Sequence, residues 1–146
     1  MRTPWRRWLP GPKHGIARGA AVFGASGAGE PARLLELLGR CELLRARAGS
    51  HGIALDDEPG SLPALDGQVD AWSTDPGIGP RLGNEVGCYL GTVIVRHVPG
   101  AVGRAWPNGH PVVRLPSARD LDVIAQAERR VTSHHGTLTS IYTAAR

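Results

Sequence analysis

The chain has 146 residues and a mass of 15.5 kDa, enough for one ordinary domain and too few for two. Hydrophobic residues are 41% and charged residues 21%, so a domain of this size buries a core without a metal or disulfide staple. The formal charge is +4, but residues 1–18 carry +5 and the remaining 128 carry −1, which excludes the basic folded face that grips nucleic acid.

Residues 1–29 read as a flexible basic tail, with Pro4, Pro10 and Pro12 among repeated glycines. Pro31 opens a first helix through Ala48, since proline is tolerated at a helix's first position. Leu34, Leu37, Leu38, Cys41, Leu44 and Ala48 form its apolar stripe at i, i+3, i+4, i+7 spacing. Gly49 ends it, and Gly52 to Leu55 reads as short and extended, followed by the acidic run Asp56-Asp57-Glu58. Ser61 is placed to cap a second helix, with Leu62, Leu65, Val69 and Trp72 inward. A third helix spans about Pro80 to Val98 and buries Leu82, Val86, Tyr89, Leu90, Val93 and Ile94.

Val102 to Trp106 and Val112 to Leu115 read as two strands of a hairpin around Asn108-Gly109. Ser117 or Asp120 caps a fourth helix through about Ser133, and Thr137 caps a short last one carrying Leu138, Ile141 and Tyr142. The expected class is α+β: a single mostly helical domain over residues 30–146, in the order α-α-α-β-β-α-α, with one β-hairpin. An isolated hairpin is marginal in water. It must lie on the helices or recruit a third strand, for which residues 52–55 are the candidate.

Few residues are arranged for chemistry. The glycine-rich run before the first helix has GxxGxG rather than GxGxxG spacing, and Glu30 stands where a phosphate-binding loop requires lysine. The six histidines and two cysteines form no HExxH, CxxC or other ligand spacing. No GxSxG elbow is present. The paired acids at 56–58 and at Asp120/Asp122 suit a solvated turn and a helix start. No catalytic residue, metal ligand or cofactor-binding residue is therefore assigned. Cys41 and Cys88 fall on apolar helix faces and are expected as buried free thiols. With no continuous apolar core for a signal peptide or a membrane span, the chain is expected in the cytoplasm.

Three features remain. Gly83, Gly87 and Gly91 lie four apart on the third helix, where each costs roughly 1 kcal/mol against alanine. The compensating gain expected is close approach of another backbone, the hairpin or the first helix, with a homodimer seam as the alternative. On the hairpin, Arg104, Trp106, His110 and Arg114 form a candidate interaction surface, because tryptophan and arginine dominate binding hot spots. In the tail, Trp5-Arg6-Arg7-Trp8 has the composition of a contact to nucleic acid or an anionic membrane, although Pro4 and Pro10 prevent a long amphipathic helix and a solvated tail is favoured.

The run Cys41-Glu42-Leu43-Leu44-Arg45-Ala46, then Leu55-Asp56-Asp57, then residues 82–96 (LGNEVGCYLGTVIVR) resembles a small actinobacterial family of unknown function. Trp106-Pro107, residues 109–115 (GHPVVRL) and residues 138–142 continue the likeness, which covers roughly residues 13–146. It implies a single cytoplasmic domain from a high-GC bacterium, consistent with 16 of the 17 basic residues being arginine. It brings no activity or ligand. The leading expectation is a non-enzymatic protein-interaction module, acting on an unknown protein partner or on itself. The alternative is an enzyme or small-ligand binder using a cleft between the hairpin and the glycine-striped helix.

Overall fold

A computed structural model describes the backbone of residues 31–146 and the side chains of residues 41–146. The expected tail, with Trp5, Arg6, Arg7 and Trp8, lies outside the described residues. Helix α1 runs Pro31–Ser50, α2 Leu62–Ser73 and α3 Gly79–His97. Three antiparallel strands follow, β1 Val102–Ala105, β2 Pro111–Arg114 and β3 Asp120–Leu121. Helices α4, Val123–Ser133, and α5, Leu138–Ala145, complete the chain. The α+β class and the five helices among the described residues agree with the apolar periodicity of the sequence.

Helix α3 is the axis of the core. Nearly every residue from Leu82 to Val95 is buried, so other elements pack around it on most sides. Helices α1, α2, α4 and α5 and the sheet all do so. Glu85 is fully buried on this helix; Arg47 of α1 meets its carboxylate at 2.6 Å and also lies over the Trp72 ring.

Two glycines of the stripe, Gly83 and Gly87, face α4. A Cβ on Gly83 would stand 3.0 Å from the Glu128 Cα, and one on Gly87 would stand 2.8 Å from the Ile124 Cα and 3.0 Å from the Val123 carbonyl oxygen. Those contacts are to backbone, which cannot swing aside as a flexible side chain would. At Gly83 and Gly87 the groove therefore holds α4, not the hairpin or α1, the two occupants expected. Gly91 is buried on the same helix.

The third strand also differs from expectation. Residues 52–55 form no strand, because their first backbone groups close α1: Gly52 has φ 75°, and the Ile53 N–H donates to the Ala48 carbonyl at 2.9 Å. The strand is instead β3, so the hairpin is part of a meander in the order β1-β2-β3. Val102 pairs with Arg114 and Ala105 with Pro111 across the first ladder, and Val113 with Leu121 across the second.

Both connections of the meander are built alike. The Gly109 N–H donates to the Trp106 carbonyl and the Trp106 N–H to the His110 carbonyl. One turn later, Ala118 donates to Leu115 and Leu115 to Arg119. Each loop has proline first and a left-handed residue last, Gly109 at φ 86° and Ala118 at φ 69°. This is the three-residue hairpin loop whose final position favours glycine.

Caps differ in detail from the sequence expectation. Thr137 caps α5 in a reciprocal capping box with Ser140. For α4 the cap is Asp122, whose carboxylate accepts from the Ala125 N–H at 3.0 Å, rather than Ser117 or Asp120. Asp120 is committed to β3. Ser61 occupies the N-cap position of α2 without a side-chain cap; its hydroxyl goes to the Glu58 carbonyl and to Tyr89.

Candidate functional site

The three-residue loop after β1 sets Trp106 opposite His110, and their rings stack with centroids 5.3 Å apart at 28°. Asp120 of β3 and Asp122, the N-cap of α4, hold this pair. The Trp106 indole N–H donates to Asp120 Oδ2 at 3.1 Å, and Arg114 Nε donates to the other oxygen of that carboxylate. His110 Nε2 meets Asp122 Oδ1 at 2.9 Å. Trp106, His110 and Arg114 are thus brought together through Asp120 and Asp122. Arg114, then the indole N–H, hold the Asp120 carboxyl below the usual aspartate range, with the Arg104 charge helping.

Arg104 joins them by position rather than by bonding. Alternation along β1 puts Val102, Arg104 and Trp106 on one face. Val102 is 43% exposed and Trp106 38%. The Arg104 guanidinium has no hydrogen bond or ion pair among the described residues. The face therefore offers two apolar side chains and one cation outside any salt bridge described. The His110–Asp122 pair adds rigidity: Asp122 Oδ1 serves the imidazole and the α4 cap at once, fastening the hairpin tip to a helix end.

A second polar centre lies at the carboxyl end of α3. Asp57, in the acidic run read as a solvated turn, is in fact only 4% exposed and adopts φ 68°. Its N–H donates to the Tyr89 hydroxyl at 2.9 Å, and its carbonyl meets His97 Nε2 at 3.0 Å. Its carboxylate takes Arg45 at 2.8 Å and Arg96 at 3.6 Å. Burial pushes the Tyr89 hydroxyl above its ordinary pKa. Asp56, Asp57, Glu58, Arg96 and His97 line an open depression of about 460 Å³. A smaller one of about 240 Å³ lies by Leu121, Gln126 and Ile141. Neither is lined by Arg104, His110 or Arg114.

Over residues 6–146 the chain matches the Family of unknown function (DUF6278). The protein belongs to DUF6278. No curated protein and no solved structure matches it. The resemblance to an uncharacterised family drawn from the sequence is thereby established, and the match begins within the first residues of the segment read as a tail. Among the described residues of this DUF6278 chain, no helix is long and apolar enough to cross a membrane. Among them, too, no three or more His, Cys, Asp or Glu side chains are grouped to hold a metal ion.

The hairpin residues of this DUF6278 protein were legible from strand alternation, but the aspartates that fix them were not. Asp120 and Asp122 read as helix-start residues, and only strand β3 brings them under the hairpin. Asp57 and its partners were missed for a related reason. Arg45, Tyr89 and Arg96 lie on two different helices, and nothing local links them to the acidic run.

Proposed function

We propose that this DUF6278 protein is a cytoplasmic protein-interaction module that docks its partner on the outer face of β1. The observation that carries the reading is Trp106, which is substantially exposed yet fixed by its stack on His110 and its bond to Asp120. An exposed aromatic already held in one rotamer loses little entropy on binding, which is the property of a hot-spot anchor. Val102 beside it adds apolar area, and Arg104 supplies charge. The complementary partner is a protein segment that presents an apolar residue next to an acidic one.

A cytoplasmic setting is supported by Cys41 and Cys88, both free thiols that an oxidising compartment would tend to join. The arginine-rich composition fits a high-GC actinobacterial host. Residues 1–29 are kept as a tail preceding the domain, with no binding role assigned to Trp5, Arg6, Arg7 or Trp8.

Site-specific photo-crosslinking tests the docking face. A photoreactive residue at Arg104 in the full chain, expressed in its native host, is compared with one at Leu43, which is 51% exposed on α1. The expected result is a discrete adduct from position 104 only, lost when Trp106→Ala is added to a chain that still melts cooperatively. Adducts from neither position, or adducts indifferent to Trp106→Ala, would refute the docking face. An adduct of twice the chain mass would identify the partner as a second copy.

A depression lined by Asp56, Glu58, Arg96 and His97 favours a second reading, a binder of small charged ligands. It moves the ligand site expected beside the hairpin to the end of α3. Ligand-dependent chemical shifts confined to these residues would support it.

A further inference from the structure

The depression of about 240 Å³ is walled by β3 with the loop before it, by α4 and by α5. Its apolar lining is aliphatic, from Leu121, Ile141 and the alanines at the end of α5. Its polar lining is Arg119, Gln126 and Ser140, with no acidic side chain. Ser140 is engaged within its own turn: its hydroxyl donates to the Thr137 carbonyl at 2.7 Å and accepts the Thr137 N–H at 3.2 Å. The Arg119 guanidinium and the Gln126 amide, by contrast, make no side-chain hydrogen bond or ion pair among the described residues. The acids nearest to Arg119 in sequence are taken elsewhere, Asp120 by Arg114 and Trp106, Asp122 by His110 and the α4 cap.

We propose that this depression binds a small monocarboxylate with an apolar body of about six to eight carbons. Arg119 supplies the planar fork that pairs with both carboxylate oxygens, and the Gln126 amide N–H donates to one of them. The apolar body lies on Leu121 and Ile141. Size agrees: an apolar cavity of about 150 Å³ takes benzene, so the volume here holds a ring or short chain with its carboxylate.

Charge decides the class of ligand. A lining with one cation and no acid repels an amine, and a single arginine on a mostly aliphatic wall suits a monoanion better than a phosphate dianion. The walls are set before any ligand arrives. The Leu115 N–H donates to the Arg119 carbonyl at 2.8 Å, fixing the backbone that carries the guanidinium. On the opposite wall, the capping box and the bond from the Leu138 N–H to Asp66 fix the start of α5. The site shares no residue with the β1 docking face or with the depression at the end of α3.

The test titrates the isotope-labelled full chain with phenylacetate and with hexanoate, read by backbone amide chemical shifts. The expected result is saturable binding with a Kd of about 1 mM or tighter, its shifts centred on Leu121, Gln126, Ile141 and Ala144. Phenylacetamide, which has the same shape without the charge, should bind about tenfold or more weakly than phenylacetate. Arg119→Gln should bring phenylacetate down to the level of the amide, and Ala144→Trp, filling the depression from an exposed position, should abolish binding of both acids. No shifts with either acid up to about 20 mM, or shifts spread over other exposed arginines such as Arg81 and Arg129, would overturn the proposal. So would equal binding of phenylacetate and phenylacetamide, a comparison made on the wild type and independent of how either variant folds.

Discussion

At Gly87 a single methyl group separates two outcomes. Alanine there would stand 2.8 Å from the Ile124 Cα and 3.0 Å from a carbonyl oxygen, so α3 and α4 must part. Overpacking of this kind costs about 1–3 kcal/mol beyond the helix-propensity gain. Gly67 on α2 is the contrast, with nothing within 4 Å of the place a methyl group would take. Gly87→Ala should lower the denaturant midpoint and Gly67→Ala raise it by about 1 kcal/mol equivalent; equal effects would dissolve the distinction. A third position follows from the paired loops. Ala118 sits at φ 69° where its counterpart is Gly109, so Ala118→Gly should stabilise by roughly 0.5–1 kcal/mol. Thermal melts would show it, and a loss of stability would argue against a left-handed residue there.

Between elements, one arginine joins α2 to α4. Arg130 is buried and reaches Asp66 at 3.1 Å and Asp70 at 2.9 Å. Asp66 also accepts the Leu138 N–H at 2.9 Å, drawing in the start of α5. His134, in the left-handed cap of α4, meets Asp70 at 2.8 Å. Arg130 first, then His134, hold the Asp70 carboxyl below the usual aspartate range. A carboxyl depressed in the folded state contributes stability above its unfolded pKa and loses it as pH falls through the folded value. The wild-type melting temperature should therefore fall more steeply below about pH 4 than that of Asp70→Asn. The difference should be modest, since Asp70 is 59% exposed and solvent screens it. Identical slopes would remove Asp70 from the acid response.

At the same scale, the five helices among the described residues were visible in the sequence because i, i+3, i+4 apolar spacing is local. Strand β3 was not visible. Two residues carry no alternation, and Asp120 presents the same chemistry to a helix cap as to a strand end. Its loop lacked the glycine that marked the first hairpin, since Ala118 fills that place. The buried state of Asp57 was equally hidden, because the arginines that compensate it come from elsewhere in the chain.

For the whole molecule, α3 distributes the parts. One side of it takes α4 at Gly83 and Gly87. Its carboxyl end collects Asp57, Arg96 and His97. Beyond it the sheet projects Val102, Arg104 and Trp106, and this is the face to which docking is assigned. That face rests on anchors fixed before binding, so its loss should appear chiefly as faster dissociation. The decisive measurement is the affinity of the purified crosslinked partner for the wild-type chain and for Trp106→Ala, the variant's fold being checked by circular dichroism. A loss of about 30-fold or more is expected, the size of a hot-spot truncation. Equal affinity with an intact fold would rule out the β1 face as the docking site.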